Sequence, residues 1–301
     1  MANISSNSVD PRHWPRQFWI GLGLIVIFWP LNWLLNGLRT HLLFFPLWLG
    51  FILTVDGIVY RRRGTSLLSR NWRAFVAMFL ISAPVWWLFE VINWHTQNWQ
   101  YLGRERFEPL TYFVLASIAF STVMPAVFEA SELVSTFGWT RHFEVGPRLR
   151  PTATVIRASV IAGFVTLALL LAFPKIFFPL TWVWLYLLLV PLNHRLGRRT
   201  LLSDTAAGNW RPVVSLVVGV LICGFFWEFW NFYAYPKWVY HVAPFEFWHV
   251  FEMPLLGYGG YIPFSLELFA SFHLVSGFFA GSTQQVLDLG GGLRRRVQLR
   301  G

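Results

Sequence analysis

Charge is scarce in this chain: only 13% of its 301 residues are Asp, Glu, Lys or Arg, about half the ~25% of an average globular sequence. Acids are rarer than bases, 14 against 24, which gives a formal net charge of +10. Long stretches carry no charge at all, and 55% of the residues are hydrophobic. That composition excludes an ordinary water-soluble fold. The single cysteine, Cys223, excludes an internal disulfide and any multi-cysteine metal site. No Walker motif, dinucleotide fingerprint, GxSxG or HExxH occurs, and no two histidines stand at i, i+4. A haem held by histidines from different helices, or a quinone, stays open. The basic excess does not point to nucleic acid. The basic residues sit in short clusters beside apolar runs, where anionic lipid headgroups are the natural counterpart.

Long apolar runs are what the chain has instead. A helix needs ~20 mostly apolar residues to cross the hydrocarbon core, and the sequence predicts eight such spans. They fall near 17–36, 42–60, 73–94, 121–140, 155–174, 176–194, 211–233 and 260–282. Two shorter apolar pieces, 107–120 and 244–258, read as interfacial or re-entrant helices. With these spans, 19 of the 24 basic residues fall in loops on one side. Both termini are therefore expected in the cytoplasm of a multi-pass cell-membrane protein. The leading MANISSNSVDPRHWPRQ runs into an apolar stretch without a small-residue cleavage site, so the first span is expected to stay as an anchor.

The chain also repeats itself. FFPLW at 44–48 matches FFPLTW at 177–182, and NWR at 71–73 matches NWR at 209–211. From there an offset of 138 carries Glu90 onto Glu228, Asn93 onto Asn231, Pro125 onto Pro263 and Glu129 onto Glu267. The reading is an all-α polytopic protein: a parallel tandem repeat of two four-helix units, 14–144 and 148–282, followed by a basic cytoplasmic tail, 283–301. An even span number per unit inserts both units the same way up, about an axis along the membrane normal.

Intramembrane acids cost roughly 2.5–3.5 kcal/mol on insertion scales and mark functional candidates. Four are matched by the repeat: Glu90, Glu129, Glu228 and Glu267. With the fourth span placed at 121–140, Glu90 and Glu129 are expected at one depth, as are Glu228 and Glu267. A buried carboxyl can hold a proton and deliver it to a substrate. The aromatic surroundings, with Trp99 in one unit and Trp227, Trp230, Trp238 and Tyr240 in the other, suit a cationic intermediate. Asn93 and Asn231, three residues after their glutamates, share that helix face and read either as substrate contacts or as hydrogen-bonded register pins. Glu252 is an extra acid of the second unit, ahead of three glycines between Pro254 and Pro263 that predict irregular backbone. Asp56 has no acidic match and reads first as a snorkelling end group.

The pattern resembles the small membrane lycopene cyclases of the heterodimeric and fungal type. Phe89-Glu90, Trp99-Gln100-Tyr101 and Pro125-Ala-Val-Phe-Glu129 look like one family copy. Trp227-Glu228, Trp238-Val239-Tyr240 and Pro263-Phe-Ser-Leu-Glu267 look like a second. The spacing differs from the family's P-x-E-E, and the paired acid is missing. The resemblance implies cofactor-independent, acid-initiated cyclisation of a long isoprenoid, with Glu90, Glu129, Glu228 and Glu267 as the acids. A proton-coupled transporter and a non-catalytic structural membrane protein are the competing readings.

Overall fold

The structure, a computed structural model, describes residues 13–35, 37, 40–242, 246–279 and 286–290. Most of the predicted basic tail, including Arg294, Arg295, Arg296 and Arg300, lies outside the described residues.

The chain is predominantly helical. Its first half runs α1 (Arg16–Leu34), α2 (Thr40–Arg63), short α3 (Leu67–Arg70), α4 (Trp72–Thr96), strand β1 (Trp99–Leu102), α5 (Pro109–Phe120) and α6 (Val123–Ser135). The second half runs α7 (Ala153–Ala172), short α8 (Pro174–Phe177), α9 (Trp184–Arg195), short α10 (Leu201–Ala206) and α11 (Arg211–Phe232). Strands β2 (Lys237–Tyr240), β3 (His249–Val250) and β4 (Met253–Pro254) follow, then α12 (Tyr261–Phe279). Among the described residues, eight segments are long and apolar enough to cross a membrane. Two of the long helices, α4 and α7, begin at side-chain caps. Asn71 accepts from Ala74 N to open α4, and Thr152 accepts from Val155 N to open α7. At the far end of α2, Arg61, Arg62 and Arg63 complement the helix C-terminus.

Two faces result. One carries the β1–β2 ribbon. The other gathers the connections after α2, α6 and α9 with their arginines, and is the arginine face. Between them lies a large apolar core that includes Trp48, Phe89, Phe128, Trp230, Phe264 and Phe269, with a smaller cluster of Tyr112, Ala116 and Phe120 on α5. Small residues let helices close on each other there. A Cβ on Gly21 would meet the Gly50 carbonyl at 2.6 Å, and one on Gly219 of α11 would lie 2.4 Å from Ser131 Oγ and 2.6 Å from Ser131 N of α6. Backbone cannot yield as a side-chain tip can. Gly219→Ala is therefore expected to lower the thermal midpoint in detergent, by an overpacking cost of about 1–3 kcal/mol. A midpoint equal to that of the unsubstituted protein would refute the α6–α11 contact.

The fourth span corrects the sequence reading. It covers Pro109–Ser135 rather than 121–140, with α5 leading into α6 through a turn at Ser121-Thr122. The corresponding stretch of the second half is the glycine-rich 3-10 turn Leu255–Gly260. Register carried from that turn is misleading, because PLTYFVLASIAF holds no glycine and has Pro109 at the first helical position. Residues 107–120 thus form no separate interfacial helix. The irregular backbone expected near Gly257 is present as that 3-10 turn.

Candidate functional site

Glu90 lies one turn after Trp86 on α4, so the two share a helix face. Trp86 Nε1 donates to Glu90 Oε1 at 2.9 Å. Past the helix, Gln97 takes a left-handed conformation (φ 56°) and the chain doubles back. Asn93 fastens the return: its Nδ2 donates to Trp99 O at 2.8 Å, and its Oδ1 accepts from Asn98 N at 2.9 Å and Trp99 N at 3.2 Å. Strand alternation then points Trp99 and Tyr101 the same way. Trp99 Nε1 donates to Glu90 Oε1 at 3.0 Å, and the Tyr101 hydroxyl donates at 2.6 Å.

Glu228 has a parallel setting. Asn231 Nδ2 donates to Trp238 O at 2.8 Å and its Oδ1 accepts from Trp238 N at 3.0 Å. From β2, Trp238 Nε1 reaches Glu228 Oε1 at 3.4 Å and the Tyr240 hydroxyl donates to it at 2.7 Å. Tyr261, opening α12, adds a third donor at 2.8 Å. Glu228 Oε2 is buried with no partner among the described residues. The strands join the two settings: β1 and β2 pair antiparallel, Trp99 against Tyr240 and Tyr101 against Trp238. Burial, and then the neighbouring carboxylate, push the Tyr101 and Tyr240 hydroxyls well above the ordinary phenol range. Both remain donors at any physiological pH.

The donors of both glutamates line one cavity of about 370 Å³, within the roughly 300–1,000 Å³ typical of ligand sites. Trp86, Trp99, Tyr101, Trp238, Tyr240 and Tyr261 all line it, together with Trp182 and Phe264. Of the predicted contacts, Trp99, Trp227, Trp230, Asn231, Trp238 and Tyr240 line this cavity. Asn93 is buried behind it as the clamp on Trp99. Glu252 forms an ion pair with Lys237, which lines the wall. The sequence reading already placed Trp86 among the aromatics around Glu90, but it missed Trp182, Lys237, Tyr261 and Phe264. Tyr261 could not have been found, because its approach to Glu228 depends on how α12 packs on α11.

The remaining predicted acids stand elsewhere, which corrects the expected meeting of Glu90 with Glu129 and of Glu228 with Glu267. Glu129, in α6, is fully buried with neither oxygen hydrogen-bonded among the described residues, and its charged neighbours are Asp56, Glu132 and Arg70, toward the arginine face. With the span running from Pro109, Glu129 falls six residues before the end of α6 rather than near the start of a span. Glu267 lies six residues into α12, about 9 Å along the axis beyond Tyr261. Its Oε1 accepts from Tyr186 N at 3.4 Å. Tyr186 belongs to the first turn of α9, which restarts after the 3-10 turn Phe178–Trp182 and has no side-chain cap at Val183. Glu267 thus answers the free N–H groups and positive end of a helix broken inside a span. Asp56 is no snorkelling end group. It is fully buried and accepts from Ser66 Oγ at 2.9 Å, Leu68 N at 3.0 Å and Gln17 Nε2 at 3.2 Å. It ties α2 to the loop that follows and to α1.

Comparison of the chain with protein-family models, with curated proteins and with solved structures gives no match.

Proposed function

We propose that this is a multi-pass membrane enzyme that binds an apolar, isoprenoid-like lipid in the aromatic cavity and transforms it by acid chemistry centred on Glu228. The observation that carries the reading is the shared design of the walls. Two buried carboxylates each place one oxygen behind three indole or phenol donors, and all six donor side chains face a single cavity. A purely structural glutamate has no need of a cavity before it. A tandem repeat, as read from the sequence, fits the same picture. Exchanging Trp99 with Trp238 and Tyr101 with Tyr240 maps the ribbon register onto itself, as a two-fold axis along the membrane normal requires. In this orientation the arginine face is cytoplasmic.

The chemistry needs no redox partner. With Glu228 in its acid form, the Tyr240 or Tyr261 hydroxyl turns to accept from the carboxyl, whose proton passes to that oxygen while the hydroxyl's own proton goes to an alkene carbon. The π pair forms the new C–H bond and a carbocation remains, stabilised by the indole faces of Trp227 and Trp238. Intramolecular attack by a second double bond closes a ring. Loss of a proton to a carboxylate, Glu90 or Glu228, restores neutrality. The net change is an isomerisation. Glu129 and Glu267 have no part in it.

The test is lipid extraction and mass spectrometry of cells expressing the chain, Glu228→Gln or Tyr240→Phe. The unsubstituted chain is expected to convert an endogenous or supplied polyene to an isomer of the same mass and altered retention. Both variants should lose that product. Identical lipid profiles in all three would remove the enzyme reading.

A further inference from the structure

The arginine face holds a feature that the cavity chemistry does not use. Residues 286–290, Val-Leu-Asp-Leu-Gly, are seated there with Val286, Leu287 and Leu289 buried. Three consecutive carbonyls are taken by arginines. Arg70 Nη2 donates to Val286 O at 3.1 Å, Arg199 Nη1 to Leu287 O at 3.2 Å, and Arg63 Nη1 to Asp288 O at 2.7 Å. Ser135 Oγ adds a bond to Asp288 O at 3.0 Å. The Asp288 carboxylate pairs with Arg63 at 3.4 Å, and its backbone N–H donates to Glu132 Oε1 at 2.7 Å. Gly290 turns away at φ +81°, so close to Arg211 that a Cβ would lie 2.5 Å from its Nε.

Arg63 and Arg70 come from the first half, Arg199 and Arg211 from the second. A segment that was merely laid down on the surface would not satisfy three consecutive carbonyls with three different arginines, nor would it bury two leucines. The arrangement is that of peptide recognition, with backbone polar groups read by a cleft and alternate side chains filling it. Glu132 lies directly beneath, fully buried and shared between Arg70 and Asp288 N, with Glu129 one turn away on the same helix. We propose that residues 286–290 are a docked plug, held in a four-arginine cleft built from both halves, that closes water access from the arginine face to Glu132 and Glu129.

The test uses the full chain in detergent, a water-soluble carbodiimide with an amine nucleophile, and peptide mass mapping. Glu132 and Glu129 are expected to stay unmodified in the native protein. Gly290→Val, which fills the space against Arg211 and opposes the left-handed φ, and Leu287→Asp, which puts a charge in the buried seat, should each raise labelling of Glu132 at least tenfold. Variants are scored only when they elute as the native monodisperse species. Equal labelling of Glu132 in a folded variant and the native chain overturns the proposal. If neither variant folds, the native chain decides by hydrogen exchange at the Asp288 amide. Slowing of at least 100-fold relative to a free peptide of residues 284–292 supports the plug, and exchange at the free-peptide rate overturns it.

Discussion

Glu228→Leu should lower stability by about 3 kcal/mol or more, while Glu228→Gln should leave the fold nearly intact and abolish turnover. The difference follows from the hydrogen-bond count. In the native chain Glu228 Oε1 accepts from Trp238, Tyr240 and Tyr261. Leucine fills the volume but leaves three buried or half-buried donors without an acceptor, at roughly 1–3 kcal/mol each. Water entering from the cavity recovers part of that loss. Glutamine keeps a carbonyl oxygen in the same place, so the change is about 1 kcal/mol, the worth of one ordinary hydrogen bond. It cannot supply a proton, however, and general acid catalysis contributes roughly 10²–10⁴ in rate. Thermal unfolding in detergent, paired with the lipid-conversion assay, separates the two effects. If Gln destabilises as much as Leu, Oε1 is not the acceptor that organises the site. If Gln converts lipid at the native rate, Glu228 is structural.

How the site is divided explains what could be read from sequence. Spans were legible because length and hydropathy decide them locally, and seven of the eight fall within a few residues of the expected positions. The resemblance grouped each Glu with a downstream Trp-x-Tyr, but the strands β1 and β2 that aim those rings at the carboxylates were not expected, because the sequence reading held only helices. The depth of Glu129 was not legible either. It depended on whether the residues before Pro125 form helix, and the answer came from the absence of glycine in α5, not from the repeat. Glu267 was misread for another reason. Its partner is the N-terminus of a helix that restarts inside a span, and the break at Phe178–Trp182 leaves no mark in hydropathy. Asp56 and its three donors show the same limit: an acid that ties a loop to two helices is invisible until the loop is folded. One sequence feature thus had two structural fates, catalytic candidate at Glu90 and Glu228, internal tether at Asp56 and Glu267.

Arg70→Leu should be the most damaging single change on the arginine face. Arg70 pairs with Glu132 in a short contact and donates to Val286 O at 3.1 Å. Its partner Glu132 is fully buried, with Glu129 one turn away on the same helix. Without the guanidinium, Glu132 is a buried carboxylate with only the Asp288 amide and more distant arginines to offset it. Breaking a buried pair from one side costs roughly 3–5 kcal/mol, because the surviving charge stays desolvated. Removing both charges is a different matter: Arg70→Leu with Glu132→Leu replaces the pair by apolar volume and should recover most of the loss. Glu132→Leu alone strands Arg70, which is 19% exposed at its side chain and can turn toward water, so it should cost less than Arg70→Leu. The full double-mutant cycle, measured as thermal or denaturant unfolding of the detergent-solubilised chain, is expected to give a coupling of about 2 kcal/mol or more, near the upper part of the ~0.5–3 kcal/mol range for residues in one network. A coupling near zero would mean that the loss comes from the Val286 carbonyl and the plug, not from the carboxylate, and the two are told apart by repeating the cycle in the Gly290→Val background, where the plug is displaced and only the ion pair remains.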